Sequence, residues 1–174
     1  MGKRKFELDV VSVRLVKDAS IMSDKKITSL FDSIELMSEY VYEMDRECVF
    51  ALFLKTDGTP ICCHPVSIGN LDSSIVSPRE IFKVGVLCNA ASFILMHNHP
   101  SGSLIPSACD ARVTDKLIVL GHLFDMPLLD HIIVGGDNST FFSFKEKGML
   151  SEHDYRLCTD YNELDFTSRL VAEA

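Results

Sequence analysis

Two short, almost wholly apolar runs, Cys48–Leu54 and Ala91–Met96, set the terms for what this chain can fold into. Each falls far short of the ~18–20 residues that a membrane-crossing helix needs. The first ends in Thr56-Asp57-Gly58, a tight-turn sequence. Runs of this length and composition are strands buried inside a sheet. Ile61–Ile68 returns from the turn to complete a hairpin, which Gly69-Asn70 brings to an end. Leu128–Gly135 and Thr140–Phe144 make a second strand pair around Gly135-Gly136-Asp137-Asn138. Residues 6–16 alternate through Phe6, Leu8 and Val10, with Val13 and Leu15 near register, and read as a strand or an N-terminal arm.

Helical periodicity fills the gaps between these strands. Ile27, Leu30, Phe31, Ile34, Met37, Tyr40, Val41 and Met44 recur at the spacing of one helix face, which predicts an amphipathic helix over 27–44. Ser77-Pro78-Arg79-Glu80 opens a second helix running to about Asn89, with Ser77 at the N-cap, Pro78 in the first turn and Glu80 at the capping-box position. Ser107 starts a third, which Gly121 and Pro127 close. Helices and strands interleave with several antiparallel returns. That order predicts an α+β or mixed α/β fold, a mixed sheet flanked by helices, over a doubly wound parallel one.

A chain of 174 residues with 47% hydrophobic content has enough material for its own core and no need of a disulfide scaffold. Its six cysteines contain no C-x-x-C pair, and MGKRKFELDV lacks the apolar stretch of a secretory signal. Reduced, mostly buried thiols and a cytoplasmic location are therefore expected, with no membrane partner. The net charge of −8 weighs against a dedicated nucleic-acid binder, which carries a basic patch or stripe.

Chemistry concentrates where the second apolar strand emerges, at His97-Asn98-His99-Pro100-Ser101-Gly102. Residues i and i+2 of an extended chain face the same way, so His97 and His99 can converge. Six histidines in a chain of this length would give only ~0.2 His-x-His pairs by chance. Asp110 returns to the same point after the turn at Pro100–Pro106. Two imidazoles and one carboxylate leave a fourth tetrahedral position open, the pattern of a catalytic rather than a structural zinc. Ser107-x-x-Asp110 is equally a helix capping box, so the carboxylate has a purely structural explanation on local pattern alone. The combination with His-x-His and Pro shifts the balance toward ligation.

HNHPSGSLIPSACD resembles the JAMM motif of the JAB/MPN metalloprotease superfamily: His-x-His, seven residues, Ser, two residues, Asp. More narrowly, SPREIF at 77–82, HNHPSG at 97–102, PSACD at 106–110 and LLDHIIVGG at 128–136 are similar to blocks of its bacterial RadC-like branch. The resemblance covers residues 27–150, leaving 1–26 as an arm or strand and 151–174 as an acidic tail or short helix. It implies an MPN fold with Zn2+ held by His97, His99 and Asp110. It also implies an upstream glutamate as general base, here Glu47 at the junction of the first helix and the following strand, and Ser107 as support for the oxyanion. Glu80 competes for the base but has its capping position as explanation. His64 beside Cys62-Cys63 and Cys109 beside Asp110 read as ordinary residues, and Asp130-His131 as structural or as a partner to a ligand.

Two departures bear on function. Longer members of the branch carry an N-terminal helix-hairpin-helix region, and the segment before residue 27 is too short for one, so direct DNA binding is not expected. Asn98 stands where eukaryotic isopeptidases of the superfamily have Ser or Thr. The reading is a zinc-dependent metallopeptidase acting on a protein or peptide substrate. The alternative is a non-catalytic DNA-repair or mobile-element accessory module.

Overall fold

The computed structural model describes residues 12, 14–16, 21, 23–42, 44, 46–69, 76–135 and 140–150. Their order is α1 (Leu30–Tyr42), β1 (Cys48–Leu54), β2 (Pro60–Ile68), α2 (Pro78–Leu87), β3 (Ser92–Asn98), α3 (Ala108–Leu123), β4 (Leu128–Val134) and β5 (Phe141–Ser143). The strands form one mixed sheet in the order β2-β1-β3-β4-β5. Only β3 and β4 run parallel, joined by the crossover through α3; the other neighbours are antiparallel.

The apolar runs became the centre of this sheet because both faces are covered. Alternate residues of β1 go to opposite sides. Phe50, Leu52 and Leu54 join Ile94, Met96, Ile132 and Val134 under Ile34, Met37 and Val41 of α1. Val49, Ala51 and Phe53 join Phe93 and Leu95 under Ile81, Phe82 and Val84 of α2 and Leu117 of α3. All seven residues of β1 are buried. β2 lies at the edge and is half-exposed, and it tolerates Pro60 and Pro65 for that reason. The β1–β2 turn needs Gly58: its φ is +79°, and a Cβ there would fall 2.4 Å from the Ile27 carbonyl oxygen.

Helix ends differ from the sequence reading at both ends of α1, now Leu30–Tyr42, and at both ends of α2. α1 begins at Leu30 instead of Ile27, because Ser29 and Asp32 form a capping box: the Asp32 carboxylate accepts the Ser29 amide at 2.8 Å and Ser29 Oγ accepts the Asp32 amide at 3.3 Å. Ile27 is buried from the preceding irregular segment, tied by its amide to Gly58 O at 2.8 Å. At α2, Ser77 is the N-cap and Pro78 opens the helix, yet no capping box forms; the Ser77 side chain makes no cap bond and Glu80 pairs with Lys83 instead. α2 stops at Leu87 because Asn89 turns left-handed, with φ 58°.

Of the expected N-terminal strand, residues 12 and 14–16 are described and carry no strand. The rest of that arm, positions 136–139 of the Gly-rich turn and the tail 151–174 lie outside the described residues. Among the described cysteines only Cys48 is fully buried, whereas Cys62, Cys63 and Cys88 are half-buried and Cys109 is exposed. No helix among the described residues is long and apolar enough to cross a membrane.

Candidate metal centre

The edge where β3 ends and α3 begins gathers the sequence-predicted ligands. His97 and Asn98 close β3, and His97 pairs with Val49 in the antiparallel β1–β3 ladder. Extending that register by two residues sets Glu47 opposite His99, on the sheet face that carries His97. Asp110 is the third residue of α3, at the helix N-terminus. His97 is buried, while His99 and Asp110 are partly exposed.

Three ligand atoms converge there. His97 Nε2 lies 3.0 Å from His99 Nε2 and 3.4 Å from Asp110 Oδ1, and His99 Nε2 lies 3.6 Å from Asp110 Oδ2. A tetrahedral ion with bonds of ~2.0–2.1 Å has ligand-to-ligand edges of about 3.3 Å, and the three spacings bracket that length. The His99 tautomer suits the task. Its Nδ1 sits 2.7 Å from the Ser103 carbonyl oxygen, which can only accept, so Nδ1 carries the proton and Nε2 a lone pair. Two imidazoles and a carboxylate therefore fit a metal ion, and His97, His99 and Asp110 are the one such grouping among the described residues. Cys109 and His64 are not part of that grouping.

Among the described residues a Ser-x-x-Asp capping box forms at two helix starts, which separates capping from ligation. In both boxes the carboxylate accepts the serine amide, at 2.8 Å for Asp32 and 2.7 Å for Asp110. Asp32 is held down to about 2 chiefly by the amides and hydroxyls of Thr28 and Ser29. Asp110 is more buried, which opposes ionisation, yet His99, His97 and Ser107 outweigh that and hold it well below the usual carboxylate range. The imidazoles are what distinguish the second box from the first.

Burial pushes His97 down to about 4, against the pull of Asp110. His99 moves up, mainly through Asp110, with the Ser103 carbonyl and the charges of Asp110 and Glu47 adding to it. Glu47 thus reaches the cluster electrostatically. Glu80 does not figure there; its charge acts on His64. These shifts fix how the metal-free protein responds to acid. A raised His99 contributes stability that is complete below the usual 6.5 and is lost only as pH rises through its folded value. His97 contributes stability present above 6.5 and lost as pH falls towards about 4, and Asp110 follows at lower pH. The unfolding free energy of the metal-free protein should therefore fall as pH drops from 6.5 towards about 4, with buried His131, also pushed down, adding to the loss from His97. A flat profile there would show that His97 is not held neutral.

Asn98, noted in the sequence only as a departure from the eukaryotic pattern, has a structural role that sequence reasoning missed. By strand alternation its side chain points away from the two histidines, toward the chain entering β1. Its Oδ1 accepts the Cys48 amide at 2.8 Å, and its Nδ2 donates to Arg46 O at 3.0 Å and Met44 O at 3.4 Å. The amide so ties down both sides of Glu47. Asn98→Ala removes all three bonds at a buried position and should cost about 1–3 kcal/mol in urea unfolding.

Residues 10–149 match the family model of the RadC-like JAB domain. A UPF0758 protein from Desulforamulus reducens is 45% identical over 119 residues, 68% of this chain and 52% of the relative. A UPF0758 protein from Methanococcoides burtonii is 39% identical over 154 residues, covering 87% of this chain and 66% of its own. One from Bacillus pumilus is 44% identical over 119 residues, 68% and 52%. The chain spans about half to two-thirds of the length of these curated relatives.

Proposed function

The chain belongs to the RadC-like JAB domain family, and on that premise we propose that it is a zinc-dependent hydrolase cleaving a peptide or isopeptide bond. The observation that carries this reading is the convergence of His97 Nε2, His99 Nε2 and the Asp110 carboxylate with no fourth His, Cys, Asp or Glu among the described residues. A structural zinc takes four protein ligands, whereas three leave room for the reacting groups. Paired imidazoles favour zinc over magnesium or calcium, which prefer oxygen throughout. Zinc bound there would act as a Lewis acid on the scissile carbonyl and lower the pKa of a water to about 7.

The chain's own residues divide the remaining work. Glu47, whose charge already acts on His99, takes the proton of the attacking water and returns it to the leaving amine. Ser107 Oγ accepts the Asp110 amide at 3.1 Å, so a lone pair caps the helix, and its proton, which otherwise serves the Asp110 carboxylate, turns to the developing oxyanion. Capping and catalysis use different parts of one hydroxyl. His99 and Asp110 are the partly exposed ligands, so substrate approaches from their side.

A cleavage screen on peptide libraries and host proteome tests this, with zinc-loaded protein against the Glu47→Gln variant. Products that need both zinc and Glu47 are the expected result. Identical digests from the two proteins would hand the lead to the accessory-module reading. DNA affinity that falls steeply between ~50 and 200 mM salt would point the same way.

A further inference from the structure

A line of hydrogen bonds runs from the metal centre into the core, and its direction is fixed at the far end. Thr114 stands one turn after Asp110 on α3, and its hydroxyl donates to the Asp110 carbonyl oxygen at 2.7 Å. A hydroxyl has one proton. The 2.6 Å contact between Thr114 Oγ1 and His131 Nδ1 must then have the imidazole as donor. His131 so carries its proton on Nδ1 and keeps a lone pair on Nε2. That atom lies 2.9 Å from His97 Nδ1, which has to supply the proton between them. The remaining lone pair of His97 falls on Nε2, the atom that converges on His99 and Asp110.

His131 is built to hold this position. It is buried on β4 beside Leu95 of β3, with its ring stacked on Phe144 at 4.7 Å and 8°. The neighbouring Asp130 carboxylate accepts the His131 amide at 2.7 Å, Ser143 Oγ at 2.6 Å and the Lys145 amide at 3.0 Å, which locks the β4–β5 edge around the ring. Neither Thr114 nor His131 belongs to the ligand grouping.

We propose that Thr114 and His131 are positioning residues that set His97 in its Nδ1–H tautomer before any metal arrives. The free imidazole in water prefers its proton on Nε2, which would block ligation through that atom. The relay removes this competition and aims the ring. It rests on the reading of His97 as a ligand and adds two residues that never touch the ion. Partners of this kind typically change metal affinity by roughly 10–100-fold.

Two measurements on the full chain test it. Nitrogen-15 histidine NMR of the metal-free protein above pH 7 should show His131 and His97 both protonated on Nδ1; a His131 proton on Nε2 overturns the relay. Zinc competition with a chromophoric chelator should give Thr114→Val an affinity roughly 10–100-fold below wild type, with Thr114→Ser restoring most of it. Thr114→Val differs from Thr by one hydroxyl and keeps its shape, so a folding defect is not the expected cause. Wild-type affinity in Thr114→Val, with His97→Ala unable to bind zinc, would sink the relay and leave the ligand assignment standing. Tight zinc binding by His97→Ala would overturn both.

Discussion

Glu47→Gln should yield a folded, zinc-binding protein whose hydrolysis is slower by roughly 10²–10⁴-fold. Gln keeps the shape and the hydrogen-bonding capacity of Glu but cannot accept a proton. Glu47 lies outside the ligand grouping, so the metal is not expected to leave with the charge. Its charge helps raise His99 and would attract a divalent cation at the same point, so neutralising it should lower zinc affinity only modestly while the rate collapses. Glu80→Gln is the internal control, since Glu80 is paired one turn along its own helix with Lys83 and acts on His64. Measured rates on any substrate found in the screen decide the matter. Retained hydrolysis in Glu47→Gln together with its loss in Glu80→Gln would show that the wrong carboxylate was chosen.

Removing either imidazole should abolish tight zinc binding, which otherwise reaches one ion per chain. A three-ligand site has no reserve, and His97→Ala or His99→Ala leaves one imidazole and a carboxylate. The fold should survive both changes without metal, because the cores under α1 and under α2 and α3 do not draw on the ion. Asp110→Asn separates the two uses of that side chain. Asn can still accept the Ser107 amide and cap α3, so its thermal midpoint should stay near wild type while zinc affinity falls. Metal content by mass spectrometry after dialysis, beside a melting curve, reads out both. Stoichiometric zinc in a His97/His99 double variant would remove the site from this part of the molecule.

Much of this was legible because the decisive signals are local. The apolar run Cys48–Leu54 became β1 with the same bounds, and His-x-His at a strand end with Ser-x-x-Asp at a helix start converged as their geometry requires. Periodicity misplaced the start of α1, since Ile27 packs into the core without being helical and Ser29-x-x-Asp32 sets the true first turn. The α2 capping box failed to form because Lys83, one turn on, takes the Glu80 carboxylate. The role of Asn98 was out of reach for a different reason, and His131 was legible only as a structural residue or a partner to a ligand. Each depends on a pairing between distant segments, Asn98 with the chain entering β1 and His131 with β3 alongside it, and no spacing within one segment encodes such contacts. Strand alternation did carry half of the Asn98 signal, by placing it opposite to its two neighbours.

X-ray absorption at the zinc edge of the stoichiometrically loaded protein is the most direct measurement of the centre itself. The expected spectrum has only nitrogen and oxygen in the first shell, at about 2.0–2.1 Å, with outer scattering from two imidazoles that drops to one or disappears in His97→Ala. A sulfur shell at about 2.3 Å, as the exposed Cys109 would supply, or a wild-type spectrum from His97→Ala would contradict it.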